Sequence, residues 1–160
     1  LDLTAVDVAS LIRDVVTRQR EAGLLTSIRV EETVPHHAAD VVGDEQRLRQ
    51  VLVNIITNAV QAMPKGGTLS ITVEGQQGSI RIRISDTGLG ITPNDVPHVV
   101  DPFFSTKANG TGLGLTICQS IMEAHNGTLS INTVPGRGTT VSLVFRNLPG
   151  ALSAAPRITK

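Results

Sequence analysis

The chain has 160 residues, and its 14 Lys and Arg balance its 14 Asp and Glu, so with the four histidines neutral the formal charge is zero. With 40% hydrophobic and only 2% aromatic residues it is composed for one soluble domain around an aliphatic core, and the even charge excludes a nucleic-acid partner held mainly by phosphate neutralisation. Cys118 is the single cysteine, which excludes an intrachain disulfide and a Cys-rich zinc site and points to a reducing, cytoplasmic compartment; no run approaches the ~20 apolar residues of a membrane span and no signal-peptide pattern opens the chain.

Val8, Leu11, Ile12, Val15 and Val16 recur at helical spacing and predict a first helix over 6–20, ended near Gly23. Residues 27–34 alternate as a short strand, which Pro35, His36 and His37 break before a small apolar step at Val41 and Val42. Asp44 is placed to cap a long helix over 45–63 that Pro64, Gly66 and Gly67 close. Two strands, 68–74 and 79–85, follow as a hairpin joined by Gln76, Gln77 and Gly78. A glycine-rich turn, a Pro-punctuated segment over 91–109 and a second glycine-rich turn lead to a helix over 113–125, stopped by Asn126 and Gly127. Strands 129–134 and 139–145 make a last hairpin around Pro135, Gly136, Arg137 and Gly138. From Leu148 onward Pro, Gly, Ala and Ser dominate, so the expected domain is 1–148 and the expected disordered tail 149–160. This order predicts an α+β fold, with helices on one face of a mixed, largely antiparallel sheet.

On a helical wheel at about 100° per residue, Arg47, Gln50, Asn54, Asn58 and Gln61 of the long helix fall within roughly 80° of one another, opposite an apolar arc. A solvated face usually carries Glu and Lys at i,i+4, whereas this stripe is built of amides, and Asn is a poor helix former. Two readings stay open: a helix packed under something polar, or neutral carbonyl oxygens for a Mg²⁺ that already carries phosphates and water.

The glycine turns are DTGLGI, with Asp86, Gly88 and Gly90 at the end of a strand, and GTGLGL, with Gly110, Gly112 and Gly114 opening a helix. Glycine permits close backbone approach, and a helix N-terminus offers free N–H groups to phosphate. Pro93 and Leu115 stand where a G-x-G-x-x-G fingerprint needs its last glycine, and no G-K-[ST] follows either loop, which disfavours Rossmann and Walker sites. Either turn alone would read as a tight connection. Together, around a loop too long for structural filler and beside the amide stripe, they point to a nucleotide.

These residues resemble the catalytic and ATP-binding domain of bacterial sensor histidine kinases, within the GHKL superfamily, over about residues 1–148. RLRQVLVNIITNAVQAM is similar to the family's N box, DTGLGI to its first glycine box, DPFFSTK to its phenylalanine box and GTGLGL to its second, with GRGTT closing the sheet. The wording is nearest the nitrogen-regulation type. The resemblance implies a two-layer, Bergerat-type sandwich holding ATP between helices and a lid over about 92–111.

Carried over by residue, the resemblance makes Asn58 the Mg²⁺ ligand, assisted by Asn54, and Asp86 the acceptor of the adenine amino hydrogen. It lays the base along Gly88, Gly90 and Ile91 with Thr139 nearby. Gly110, Thr111, Gly112, Leu113 and Gly114 are set against the phosphates, with Lys107 as the cationic contact. Gln61 stands where many members have a basic residue, and Phe103 and Phe104 anchor the lid, meet a partner domain or pack in the core. Hydrolytic superfamily members carry a glutamate where this chain has Asn54, and an amide cannot act as general base. The implied activity is therefore transfer of the γ-phosphoryl group to a histidine.

That histidine is expected elsewhere, because His36, His37, His98 and His125 all lack the phosphoacceptor context; His125 reads as a helix-end residue favourable toward the C-terminal dipole. The implied partners are a dimerisation and phosphotransfer domain of the same protein and a downstream response regulator. The domain alone is expected to be monomeric, without nucleic-acid or direct membrane contact and without autophosphorylation. The alternatives are a serine kinase of the anti-sigma-factor type, which normally keeps the glutamate, and a regulatory module with a degenerate nucleotide site.

Overall fold

The computed structural model describes residues 1–36, 40–76, 78–91, 94 and 114–146. In chain order the elements are β1 (Thr4–Val6), α1 (Val8–Glu21), β2 (Ile28–Thr33), β3 (Val41–Gly43), α2 (Glu45–Gln61), β4 (Gly67–Gln76), β5 (Ser79–Asp86), α3 (Gly114–Ala124), β6 (Thr128–Val134) and β7 (Gly138–Arg146). Most predicted elements appear within one or two residues of their expected ends. The exception is the start of α1: Val6 closes the short strand β1, which pairs antiparallel with β3, and Asp7 caps the helix instead.

The main sheet runs β2-β4-β5-β7-β6, with β2 parallel to β4 and the remaining pairs antiparallel. Alternation in the strands decides its faces. Ile80, Ile82 and Ile84 of β5, Leu69, Ile71 and Val73 of β4, and Val141, Leu143 and Phe145 of β7 are buried. The intervening side carries Ser, Thr, Arg and Glu, including a Glu74 to Arg83 ion pair at 3.6 Å and a Ser85 to Thr140 hydroxyl contact at 2.7 Å. The apolar side is covered by helices. Val8 and Leu11 of α1, Leu48, Val51 and Leu52 of α2, and Ile82, Leu143 and Phe145 of the sheet surround one small gap in the core. Arg49 of α2 holds Asp14 of α1 and also Glu45, at 3.3 Å. Among the described residues no helix is long and apolar enough to cross a membrane.

Helix ends are set by side chains. Asp44 Oδ1 accepts the Arg47 N–H at 3.2 Å and caps α2 as predicted. Asn126, with φ 55°, takes the left-handed conformation that stops α3, and the Gly127 N–H returns to the Met122 carbonyl at 2.9 Å. His125 sits at the end of α3, as expected, and also makes a contact beyond its own helix. Its Nε2 accepts the Asp44 N–H at 3.0 Å while Nδ1 lies 2.7 Å from the Ile121 carbonyl. Accepting at Nε2 requires the neutral Nδ1–H tautomer. From its place at the end of α3 the ring thus bridges to the start of α2.

Candidate functional site

Three neighbouring strands carry apolar residues on the helix-facing side and end the run, at the same edge of the core, in a polar one. Ile80, Ile82 and Ile84 lead to Asp86; Phe145, Leu143 and Val141 lead back to Thr139; Leu129 and Ile131 lead to Thr133. The register pairs Asp86 with Thr139 and Thr139 with Thr133. Directly opposed residues share a face, so the three form one polar row capping the aliphatic core under the helices.

The segment after Asp86 is held on both flanks. Asp86 Oδ1 accepts the Gly88 N–H at 2.9 Å. Leu89 donates its N–H to the Ala62 carbonyl at the end of α2, at 3.2 Å, and its carbonyl accepts the Gly136 N–H from the β6–β7 turn at 2.8 Å. The Ile91 N–H donates to Thr133 Oγ1 at 2.8 Å. A Cβ at Gly88 would meet the Ala62 backbone, and glycine is required at two further points of this weave. Gly90 has φ +70° and a Cβ there would lie 2.5 Å from the Val134 carbonyl oxygen; Gly138 has φ +114° and its Cβ would lie 1.9 Å from the Asp86 carbonyl oxygen.

Across from the row, α2 presents half-buried Gln50, Asn54 and Asn58, with Arg47 and Gln61 exposed at either end of the stripe. A Cβ at Gly114, the first residue of α3, would lie 3.7 Å from Asn58 Nδ2. One turn into α3, Cys118 directs its thiol at the Val51 carbonyl at 3.8 Å and is hydrogen-bonded by Asn54. Four residues up α2 correspond to four residues down α3, so the two helices pass antiparallel with both asparagines in their seam. Burial pushes the Cys118 thiol up to about 11, against the opposing effect of the Asn54 bond.

The structure therefore brings Asp86, Gly88, Gly90, Ile91 and Thr139 to one end of the sheet, with Asn54, Asn58 and Gly114 on the helices. Lys107, Gly110, Thr111, Gly112 and Leu113, with Phe103, Phe104, His37 and His98, lie outside the described residues, as do the expected tail and, apart from Asn94, the expected lid. Thr133 was not among the expected residues: the alternation of Leu129 and Ile131 marks its side as inward, but only the neighbouring strands give its hydroxyl a role.

Among the described residues no three His, Cys, Asp or Glu side chains form a group that could hold a metal. Asn58 of α2 instead faces the first residue of α3, Gly114.

Residues 43–149 match the family model described as histidine kinase-, DNA gyrase B-, and HSP90-like ATPase. The chain belongs to this family. Among curated proteins it is 34% identical over 143 residues to the sensor histidine kinase ZraS of Escherichia coli K12, covering 89% of this chain and 31% of that protein. It is 35% identical over 136 residues to sporulation kinase C of Bacillus subtilis, covering 84% and 32%. The chain thus spans about a third of the length of these relatives. Among solved structures, the nucleotide-free catalytic domain of the histidine kinase ThkA superposes with a TM-score of 0.83 at 29% identity, covering 93% of this chain and 98% of that one. Full-length ShkA in complex with AMPPNP gives 0.79 at 27% identity, covering 91% and 31%. Sequence and fold agree that this ATPase-family chain is a histidine kinase catalytic domain.

Proposed function

We propose that the domain binds Mg-ATP at the polar end of the sheet and donates the γ-phosphoryl group to a histidine on a dimerisation and phosphotransfer domain of the same protein. A response regulator is then the downstream acceptor. The observation that carries the reading is the placement of Asp86, at the inward end of β5, in one row with Thr139 and beside the segment 88–91. An ionised carboxylate only accepts hydrogen bonds, so it favours the amino group of adenine and repels the keto oxygen of guanine. The glycines at 88 and 90 let that segment pack tightly against the end of α2 and the β6–β7 turn, which fixes it beside Asp86.

In this reading Asn58 offers its amide oxygen to Mg²⁺ from the seam of α2 and α3, and Gly114 opens α3 toward the same place. When bound, the ion neutralises phosphate charge. Lys107, Gly110, Thr111, Gly112 and Leu113 supply the remaining cation and N–H groups along the phosphates. Asn54 holds the Cys118 thiol and has no carboxylate to activate water, which suits a site that keeps ATP for another nucleophile. The AMPPNP bound by the structural relative ShkA supports the same nucleotide class here.

The test is calorimetric titration with a non-hydrolysable ATP analogue, with and without Mg²⁺, and with the GTP analogue. Protein concentration must come from a method other than absorbance at 280 nm, since Trp and Tyr are absent. Saturable, adenine-selective, Mg²⁺-sensitive binding is the expected result. Asp86→Asn is expected to lose adenine selection and most affinity with the fold intact, and Asn58→Ala to lose affinity mainly when the metal is present. A folded chain that binds neither analogue would instead be a degenerate regulatory module.

A further inference from the structure

The hydroxyl of Thr133 lies outside the first contacts proposed for the nucleotide, yet three groups converge on it. The Ile91 N–H donates to Thr133 Oγ1 at 2.8 Å, Thr133 Oγ1 donates to the Gly138 carbonyl at 3.1 Å, and Thr139 Oγ1 lies 2.9 Å away. A threonine hydroxyl has one proton and two lone pairs. The Ile91 amide can only donate, so it takes one lone pair; the Gly138 carbonyl can only accept, so it takes the proton. What remains is a lone pair, and the Thr139 hydroxyl must therefore give its own proton to Thr133. Thr139 is left presenting lone pairs, next to the carboxylate of Asp86 in the row.

We propose that Thr133 is a positioning residue for base selection: it fixes the Ile91 end of the glycine segment and orients Thr139 as an acceptor, so that the row offers acceptors to a purine amino group and no donor to a keto oxygen. This rests on the adenine-site reading above. Glycine at 138 lets the start of β7 approach the Asp86 backbone closely enough for the three strands to share the network. The contact also spans 42 residues of sequence, from the glycine segment to β6, so it ties the segment to the far side of the sheet.

The experiment compares wild type, Thr133→Val and Thr133→Ser for binding of the ATP and GTP analogues, with circular dichroism and thermal unfolding recorded for each. Valine keeps the shape and removes the hydroxyl; it frees the Thr139 proton to point into the site. A fall of about tenfold or more in the adenine-to-guanine preference of Thr133→Val, restored to within about twofold by serine, is the expected result. Equal losses for both nucleotides in a folded Thr133→Val, or an unchanged preference, would overturn it, since a merely structural role moves both affinities together. If the wild type binds no analogue, the adenine reading fails and this inference fails with it. If the wild type is selective and the preference survives the valine change, only the present inference fails. Should Thr133→Val not fold, Thr139→Val removes the acceptor itself and carries the same comparison: loss of preference supports the proposal and retention refutes it.

Discussion

Cys118 has no exposed surface, and its thiol sits between the Val51 carbonyl and the Asn54 amide in the seam of two helices. Burial raises its pKa from 9.0 to about 11, so the folded chain keeps the proton over a range where the unfolded chain releases it. The stabilisation is fully present below pH 9.0 and is lost as the pH rises through about 11. Two pKa units correspond to about 2–3 kcal/mol. Few other side chains confuse this window, because the chain has no tyrosine. Denaturation midpoints measured from pH 8 to 11 are expected to fall more steeply for wild type than for Cys118→Ala, whatever offset the alanine cavity adds. The same burial predicts that a thiol reagent at pH 7.5 labels Cys118 only when denaturant is present. Gly138 is a second position where one atom decides: Gly138→Ala would drive a methyl group into the Asp86 carbonyl, and thermal unfolding is expected to show a loss of roughly 2–4 kcal/mol. Asp86, Asn58 and the glycines were legible in the sequence because each is a chemically odd choice for its element. Thr133 was less so, since threonine is an ordinary strand residue and its meaning depends on which strands lie beside it.

At the scale of the elements, caps and cross-links fix where the helices begin and how they meet. Burial disfavours the charge on Asp7, but hydrogen bonds from the Ser10 backbone and hydroxyl, at 3.1 Å and 2.8 Å, outweigh it and hold its pKa below the ordinary value. The Asp2 and Arg47 amides hold Asp44 low in the same way. Lowered carboxylate pKa values add stability that is present above pH 3.8 and lost as the pH falls through the lower folded values. Acid titration of Asp7→Ala should accordingly show a shallower loss of stability below pH 4 than wild type, starting about 1 kcal/mol lower at neutral pH. His125→Phe removes the acceptor of the Asp44 N–H, which is half-buried, and is expected to cost about 1–3 kcal/mol in a denaturant melt. Helix α2 could be read from Asp44 to its closing Pro64 because cap, periodicity and breaker agree. Strand β1 could not, since three residues with one buried side chain carry no periodic signal, and it exists only through pairing with β3. The histidine bridge was hidden for the same reason: its acceptor role depends on a contact 81 residues away.

For the whole molecule, the five-stranded sheet acts as a platform whose aliphatic rows pack under the helices and whose polar row lies at the proposed site. Sequence alternation revealed the two faces and the class of fold. The strand order, with β2 parallel to β4 and β7 inserted between β5 and β6, was not legible, because alternation says which way a side chain points and not which strand is its neighbour. That order is what sets Asp86 beside Thr139 from a distant part of the chain. Binding at a site assembled from both halves must stabilise the whole fold, since a ligand that prefers the native state adds RT ln(1 + [L]/Kd). At a nucleotide concentration near a hundred times Kd this is about 2.7 kcal/mol, and for a domain of this size it corresponds to a rise in Tm of roughly 5–10 °C. Thermal unfolding of the chain with Mg²⁺ and the ATP analogue is expected to show that rise, with a smaller one when the metal is chelated. Asp86→Asn should lose the rise while its ligand-free midpoint stays near that of wild type. A shift of equal size in the variant would remove Asp86 from the nucleotide site, because the substitution changes only the proposed acceptor of the adenine amino group.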